Sequence, residues 1–223
     1  LAVSVHSVVS WDFAMSIVPG LHHTVFAPYF VVGAIYSGTA GIVTMMFLLR
    51  KYFSLESYIT TTHFNNLGKL LLLLSLLWVY INMLEIFTGW YSGSSAQIET
   101  LNYKLFGYYA PLFWGMVLFC AIIPLALIVK KVRTSLVTML IISVLINIGM
   151  YIERLLILTT SLSRKYLPDY WGIYTPTLVE ISIFIGSVAL FICFFLVFVK
   201  IVPSVSMYEV KETLDSPDRR RSM

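Results

Sequence analysis

The sequence predicts an all-α membrane protein with about six transmembrane helices. Three observations lead there. Of its 223 residues, 59% are hydrophobic and only 12% charged, where a soluble domain carries about 25% charged residues. Several apolar runs reach the roughly 20 residues needed to cross a bilayer. Lysine and arginine gather at alternate ends of those runs. Arg50, Lys51, Lys69, Lys130, Lys131, Arg133, Lys200, Lys211, Arg219, Arg220 and Arg221 fall at one membrane face, and Lys104, Arg164 and Lys165 at the other. The positive-inside rule makes the first face cytoplasmic. The formal net charge of +4 says less than this placement. The lipid bilayer is the medium, and no nucleic-acid partner is expected.

Residues 1–17 read as the end of a transmembrane helix. The sequence opens on Leu1 inside an apolar run, with no basic leader and no small-residue cleavage site. It is therefore not a signal peptide, and the stretch reads as the later part of a longer chain. Residues 18–29 follow as an interfacial loop. Pro19, Gly20 and Pro28 break helix there, and Trp11, Phe26 and Tyr29 belong at headgroup level. The next helix runs over 29–51, where Gly33, Ser37 and Gly41 recur every four residues and make a small-residue face suited to close packing.

Residues 54–66 are polar enough to leave the membrane, and predict a short amphipathic surface helix capped by Ser54. A helix over 67–90 carries Asn82 and Glu85, and a wet loop spans 91–104. A helix over 108–130 closes on Lys130 and Lys131, with no break expected. The helix over 134–160 carries Asn147, Glu153 and Arg154. A second wet loop, 161–175, holds Asp169 and Trp171. The last helix covers 176–202, with Glu180 near its start, and the charged tail 203–223 has too little apolar surface to order itself. Cys120 and Cys193 lie mid-helix without metal spacing, and read as buried small hydrophobes.

Ionisable groups inside apolar helices are costly and mark candidate functional sites. Asp12, Glu85, Glu153, Arg154 and Glu180 all fall within roughly 6–11 Å of the outer face at 1.5 Å per residue. Asp12 is either a carboxylate snorkelling to the interface or one lining a cavity beneath it, ready to take a proton. His6 lies six residues earlier, about 240° round the helix, so the two share no face. Arg154 is expected to pair with one of the acids, because a bare intramembrane charge is costly. The remaining acids stay open as a proton relay, with Asn82, Asn147 and Tyr151 between them. His22 and His23 are adjacent and sit in a loop, His63 lies at the cytoplasmic surface, and no cysteine spacing fits a cluster. No haem or iron–sulfur centre is expected on this chain, nor a phosphate loop.

The stretch His6-Ser7-Val8-Val9-Ser10-Trp11-Asp12-Phe13, continued by Pro19-Gly20-Leu21-His22-His23-Thr24-Val25-Phe26-Ala27-Pro28-Tyr29, resembles the NrfD/PsrC family of quinone-interacting membrane subunits. Trp90-Tyr91-Ser92-Gly93 and Tyr151-Ile152-Glu153-Arg154 fit as well. Within that family the chain looks most similar to the C subunit of alternative complex III. The resemblance implies one four-helix bundle with a flanking helix on each side. Residues 1–28 would be the last helix of a preceding bundle and its periplasmic loop, and 29–160 the four-helix bundle. Residues 161–202 would be a periplasmic loop and terminal helix, and 203–223 a cytoplasmic tail.

The resemblance further implies a subunit of an oxidoreductase complex in the bacterial inner membrane, not catalytic alone. Quinone or menaquinone would be the substrate. Iron–sulfur and cytochrome c subunits in the periplasm, and another NrfD-like membrane subunit, would be partners. Asp12 is the site position carried over; Trp11 and His6 match the motif as quinone-binding candidates. Glu85, Glu153, Arg154 and Glu180 remain proton-path candidates. Two other classes stay open: a structural anchor for extrinsic redox subunits, and a secondary transporter. A transporter favours broken helices at the midplane and an internal repeat, and the sequence suggests neither.

Overall fold

The computed structural model describes residues 1–16, 25–53, 55–56, 58–163, 172–174 and 176–202. The described residues are helical and contain no strand. They divide into two compact units, Leu1–Ile173 and Tyr174–Met223.

The first unit opens with α1 (Ala2–Ser10), which runs into a π-helical turn over Trp11–Met15. Together these span about 21 Å at helical rise, short of the ~30 Å hydrocarbon core. α2 covers Phe26–Tyr52 and ends on Arg50 and Lys51. α3 covers Thr61–Tyr91, so the predicted surface helix does not form; its polar residues from Thr61 onward begin the membrane helix. Ser54 lies outside the described residues. The predicted wet loop 91–104 is instead mostly α4, Ser95–Leu105. α5 (Ala110–Val117), a π turn (Leu118–Ile122) and a 3-10 stretch (Ile123–Ile128) form one span. α6 (Lys130–Thr134) leads to α7, Leu136–Ser163. Five helices are long and apolar enough to cross a membrane, the fifth being α8 (Leu178–Ile201) in the second unit. The expected count was about six; α1 with its π turn makes up the difference as a shorter helical piece.

Four of these spans form a ring. α2 packs on α3 and α7, and the broken span packs on the same two helices from the other side. α4 lies across α3, α5 and α7 at the lysine-poor end, and α1 leans on α2. The core between them is filled by Tyr36, Phe64, Leu71, Trp78, Met116, Met139 and Ile146. Lipid tails are as apolar as these side chains, so close fit rather than water expulsion holds such helices together. Gly149 shows how close: a Cβ there would sit 2.5 Å from Cys120 Sγ and 2.8 Å from Phe119 Cβ. The small-residue face of α2 is used at Gly33, which lies against Arg154 and Met150, whereas Gly41 faces open space.

The break in the span that α5 begins contradicts the expectation of a continuous helix over 108–130. Its cause is Pro124, which has no N–H to give the Cys120 carbonyl. Two side chains replace that donor: the Tyr36 hydroxyl at 3.0 Å and the Ser75 hydroxyl at 2.8 Å, both buried. Irregular backbone at membrane depth is tolerated where protein satisfies it. At the lysine-rich end, Arg133 donates to the Leu127 and Ile128 carbonyls (2.7 and 3.1 Å) and to Asn65 Oδ1 (3.1 Å). The last turn of the 3-10 stretch is thereby closed. Cys120 is buried as expected, while Cys193 in α8 is exposed.

Candidate functional site

Two groups of polar residues stand out, and the first is the turn after α1. The Ser16 N–H bonds the Trp11 carbonyl at 3.0 Å, five residues back, which widens the helix there. The Ser16 hydroxyl donates to the Asp12 carbonyl. The Asp12 carboxylate and the Trp11 indole are both exposed on this chain, Trp11 by 49%. A flat apolar ring and an accessible carboxylate therefore sit side by side on one widened turn. His6 is exposed too, and its Nδ1 is engaged with the Ala2 carbonyl at 2.7 Å. Pro19, Gly20, His22 and His23 lie outside the described residues.

The second group is buried between α2, α3, α4 and α7. Along α3, Ser75, Trp78, Asn82 and Glu85 recur at helical spacing and form one inward stripe. Along α7, Ser143, Ile146, Met150 and Glu153 do the same. Glu153 is 1% exposed, and the Trp78 indole N–H donates to its Oε1 at 2.6 Å. Arg154 Nε lies 3.7 Å from its Oε2. The Tyr29 hydroxyl also interacts with Glu153, and accepts from Asn82 Nδ2 at 3.3 Å. One turn outward, Lys104 of α4 reaches in and pairs with Glu85 Oε1 at 3.5 Å. The ammonium lies over the Phe113 ring, 5.5 Å from its centre.

Two carboxylates and two cations thus balance within the bundle. Removing one member of such a buried pair typically costs about 3–5 kcal/mol, because the partner charge is left uncompensated. Each acid still keeps one buried oxygen, Glu85 Oε2 and Glu153 Oε2, outside any well-formed hydrogen bond. Buried polar atoms in that condition mark a place for a water or an ion. Deeper in the bundle the polar atoms continue. Tyr36 and Ser75 meet at the Cys120 carbonyl, and Thr44 and Ser143 share a hydrogen bond of 3.0 Å. Asn147 instead turns back to the Ser143 carbonyl at 3.1 Å.

The structure therefore brings Glu85, Glu153 and Arg154 into one cluster, and the expected pairing of Arg154 with an acid is present. Glu180 belongs to the second unit. There it accepts from the Thr177 N–H at 2.7 Å and completes a capping box at the start of α8. Sequence reading missed Lys104, placed in a loop, Tyr29, taken as a headgroup-level aromatic, and Trp78, which it did not single out. The signal was available for Trp78, four residues before Asn82 and seven before Glu85 on one helical face.

A family model described as polysulphide reductase, NrfD, matches residues 1–164, which takes in the Trp11–Asp12 turn and the whole buried cluster. Among curated proteins, none matches the chain.

Proposed function

Since this chain belongs to the NrfD family of quinone-interacting membrane subunits of redox complexes, which partner iron–sulfur subunits, we propose that it serves a respiratory quinol-oxidising complex similar to alternative complex III. The observation that carries this reading is the family match across residues 1–164, with an exposed carboxylate on the π-helical turn after α1. Oxidation of a quinol releases two protons and two electrons. In this reading the Asp12 carboxylate takes the two quinol hydroxyl protons in turn and passes each to the outer water, while the two electrons leave to an iron–sulfur partner and on to a cytochrome c subunit. Trp11 offers the flat surface against which the quinol ring lies, and His6 borders the same helix. Haem and iron–sulfur centres stay on partner chains. A second NrfD-like subunit completes the membrane part, which resides in the bacterial cytoplasmic membrane.

The buried cluster is the proton-handling element of the proposal. Glu85 and Glu153 have spare carboxylate oxygens, and the hydroxyls of Tyr29, Tyr36, Ser75, Thr44 and Ser143 extend the polar line inward. The test is quinol turnover in the assembled complex. Asp12→Asn is expected to lower it by about 10²-fold, a typical general-base contribution, with Asp12→Glu retaining part. Near-normal turnover in assembled Asp12→Asn would remove Asp12 from the reaction. Glu85→Gln is expected to reduce proton translocation while quinol oxidation continues; unchanged proton stoichiometry would return the cluster to a purely structural role.

A further inference from the structure

Arg154 carries more hydrogen-bonding capacity than the bundle uses. Its Nε faces Glu153, one Nη2 N–H donates to the Phe30 carbonyl at 3.3 Å, and the guanidinium plane lies 4.4 Å from the Phe30 ring centre. Gly33 makes room for this placement, since a Cβ there would come within 2.8 Å of Nη2. The group is therefore held in a slot on α2. Yet its side chain is 31% exposed, and Nη1 has no partner among the described residues. A guanidinium has five N–H donors, and donors left bare at membrane depth are costly.

The level of the slot limits what can meet those donors. α2 has 27 residues, so it spans about 40 Å, close to the ~40–45 Å of a bilayer with its headgroups around a ~30 Å core. Phe30 lies four residues from the start of α2, about 6 Å inward, at the boundary between headgroup and hydrocarbon. Around Arg154 on α7, Tyr151 and Leu158 are exposed by 43% and 49%, a surface suited to acyl chains rather than water. We infer that Arg154 binds the phosphodiester of a phospholipid in the leaflet at the lysine-poor end, using the guanidinium edge that Glu153 and Phe30 leave free. A fork of parallel N–H donors fits a phosphate better than a point charge does. The lipid would then take up the N–H donors that Glu153 and the Phe30 carbonyl leave free, at the seam between α2 and α7.

The assembled complex, exchanged into nanodiscs of phosphatidylglycerol and then washed in detergent, tests this by native mass measurement of retained lipid. Wild type is expected to keep one more phospholipid than Arg154→Gln. The double variant Glu153→Gln/Arg154→Gln, which leaves no uncompensated charge, is expected to show the same loss. Arg154→Lys keeps the ion pair and is expected to hold that lipid about tenfold more weakly, as one charge-assisted bond is lost. In nanodiscs of a phosphate-free galactosyl diacylglycerol the difference should vanish. Equal phospholipid retention by wild type and the double variant would overturn the proposal. Retention lost to millimolar inorganic phosphate with no dependence on the lipid would also overturn it.

Discussion

The Cys120 carbonyl offers a quantitative test of how the broken span is held. Tyr36 and Ser75 both donate to it because Pro124 cannot. Tyr36→Phe removes one donor and leaves the other in place. In a membrane protein such a bond contributes about 0.6 kcal/mol on average, so each single variant should lose about 0.5–1 kcal/mol. The double variant Tyr36→Phe/Ser75→Ala leaves the carbonyl bare in a core where both neighbours are at most 1% exposed. An orphaned buried acceptor adds about 1–3 kcal/mol, so the double variant should lose about 3 kcal/mol. The coupling is then about 1–2 kcal/mol, well above the error of a double-mutant cycle. Pro124→Ala restores an N–H within reach of the carbonyl, and should recover much of the loss in the double variant while changing wild type little. Reversible unfolding in mixed micelles, followed by tryptophan fluorescence, reads all six proteins. Strict additivity of the two single variants, or failure of Pro124→Ala to rescue, would refute the assignment of the carbonyl as a shared acceptor.

Other outcomes follow from the same packing. Lys104→Met should destabilise by about 3 kcal/mol by stranding Glu85, and Glu85→Gln/Lys104→Met should regain most of it; unfolding midpoints of the three proteins decide this. Gly149→Val should cost about 1–3 kcal/mol through overpacking against Cys120 and Phe119, and Cys120→Ala in the same chain should relieve part of it. A cysteine at Ser94 and one at Lys131 should label from opposite sides of the membrane, because α3 ends beside the first and α6 carries the second. Labelling of both from one side would overturn the alternation of the spans.

The spans were legible in the sequence because crossing a bilayer demands about 20 apolar residues in a row, whatever they pack against. Their ends were legible where Arg50, Lys51, Lys130 and Lys131 mark them. The break at Leu118–Ile128 was not, although Pro124 stands in plain view: a proline in a membrane helix can be absorbed by neighbouring hydroxyls, and nothing local says that Tyr36 and Ser75 converge there. α4 was missed for a related reason. Ser95–Leu105 is polar enough for a loop, and only the tertiary pairing of Lys104 with Glu85 shows that one of its cations points inward. The acids themselves were found because charge in an apolar run is rare. Their partners were harder, since Trp78 and Tyr29 look like ordinary packing until the hydrogen bonds are seen.

The even balance of the buried cluster has an electrical consequence. A membrane potential does work only on net charge, about 2.3 kcal/mol per elementary charge for each 100 mV crossed in full. Glu85 with Lys104 and Glu153 with Arg154 present no net charge to that field. In the proposed proton-handling role, a proton taken up by either acid would leave its paired cation uncompensated, a net charge on which the field can act. Its residence then depends on voltage in proportion to the fraction of the membrane it has crossed, while the scaffold around it does not.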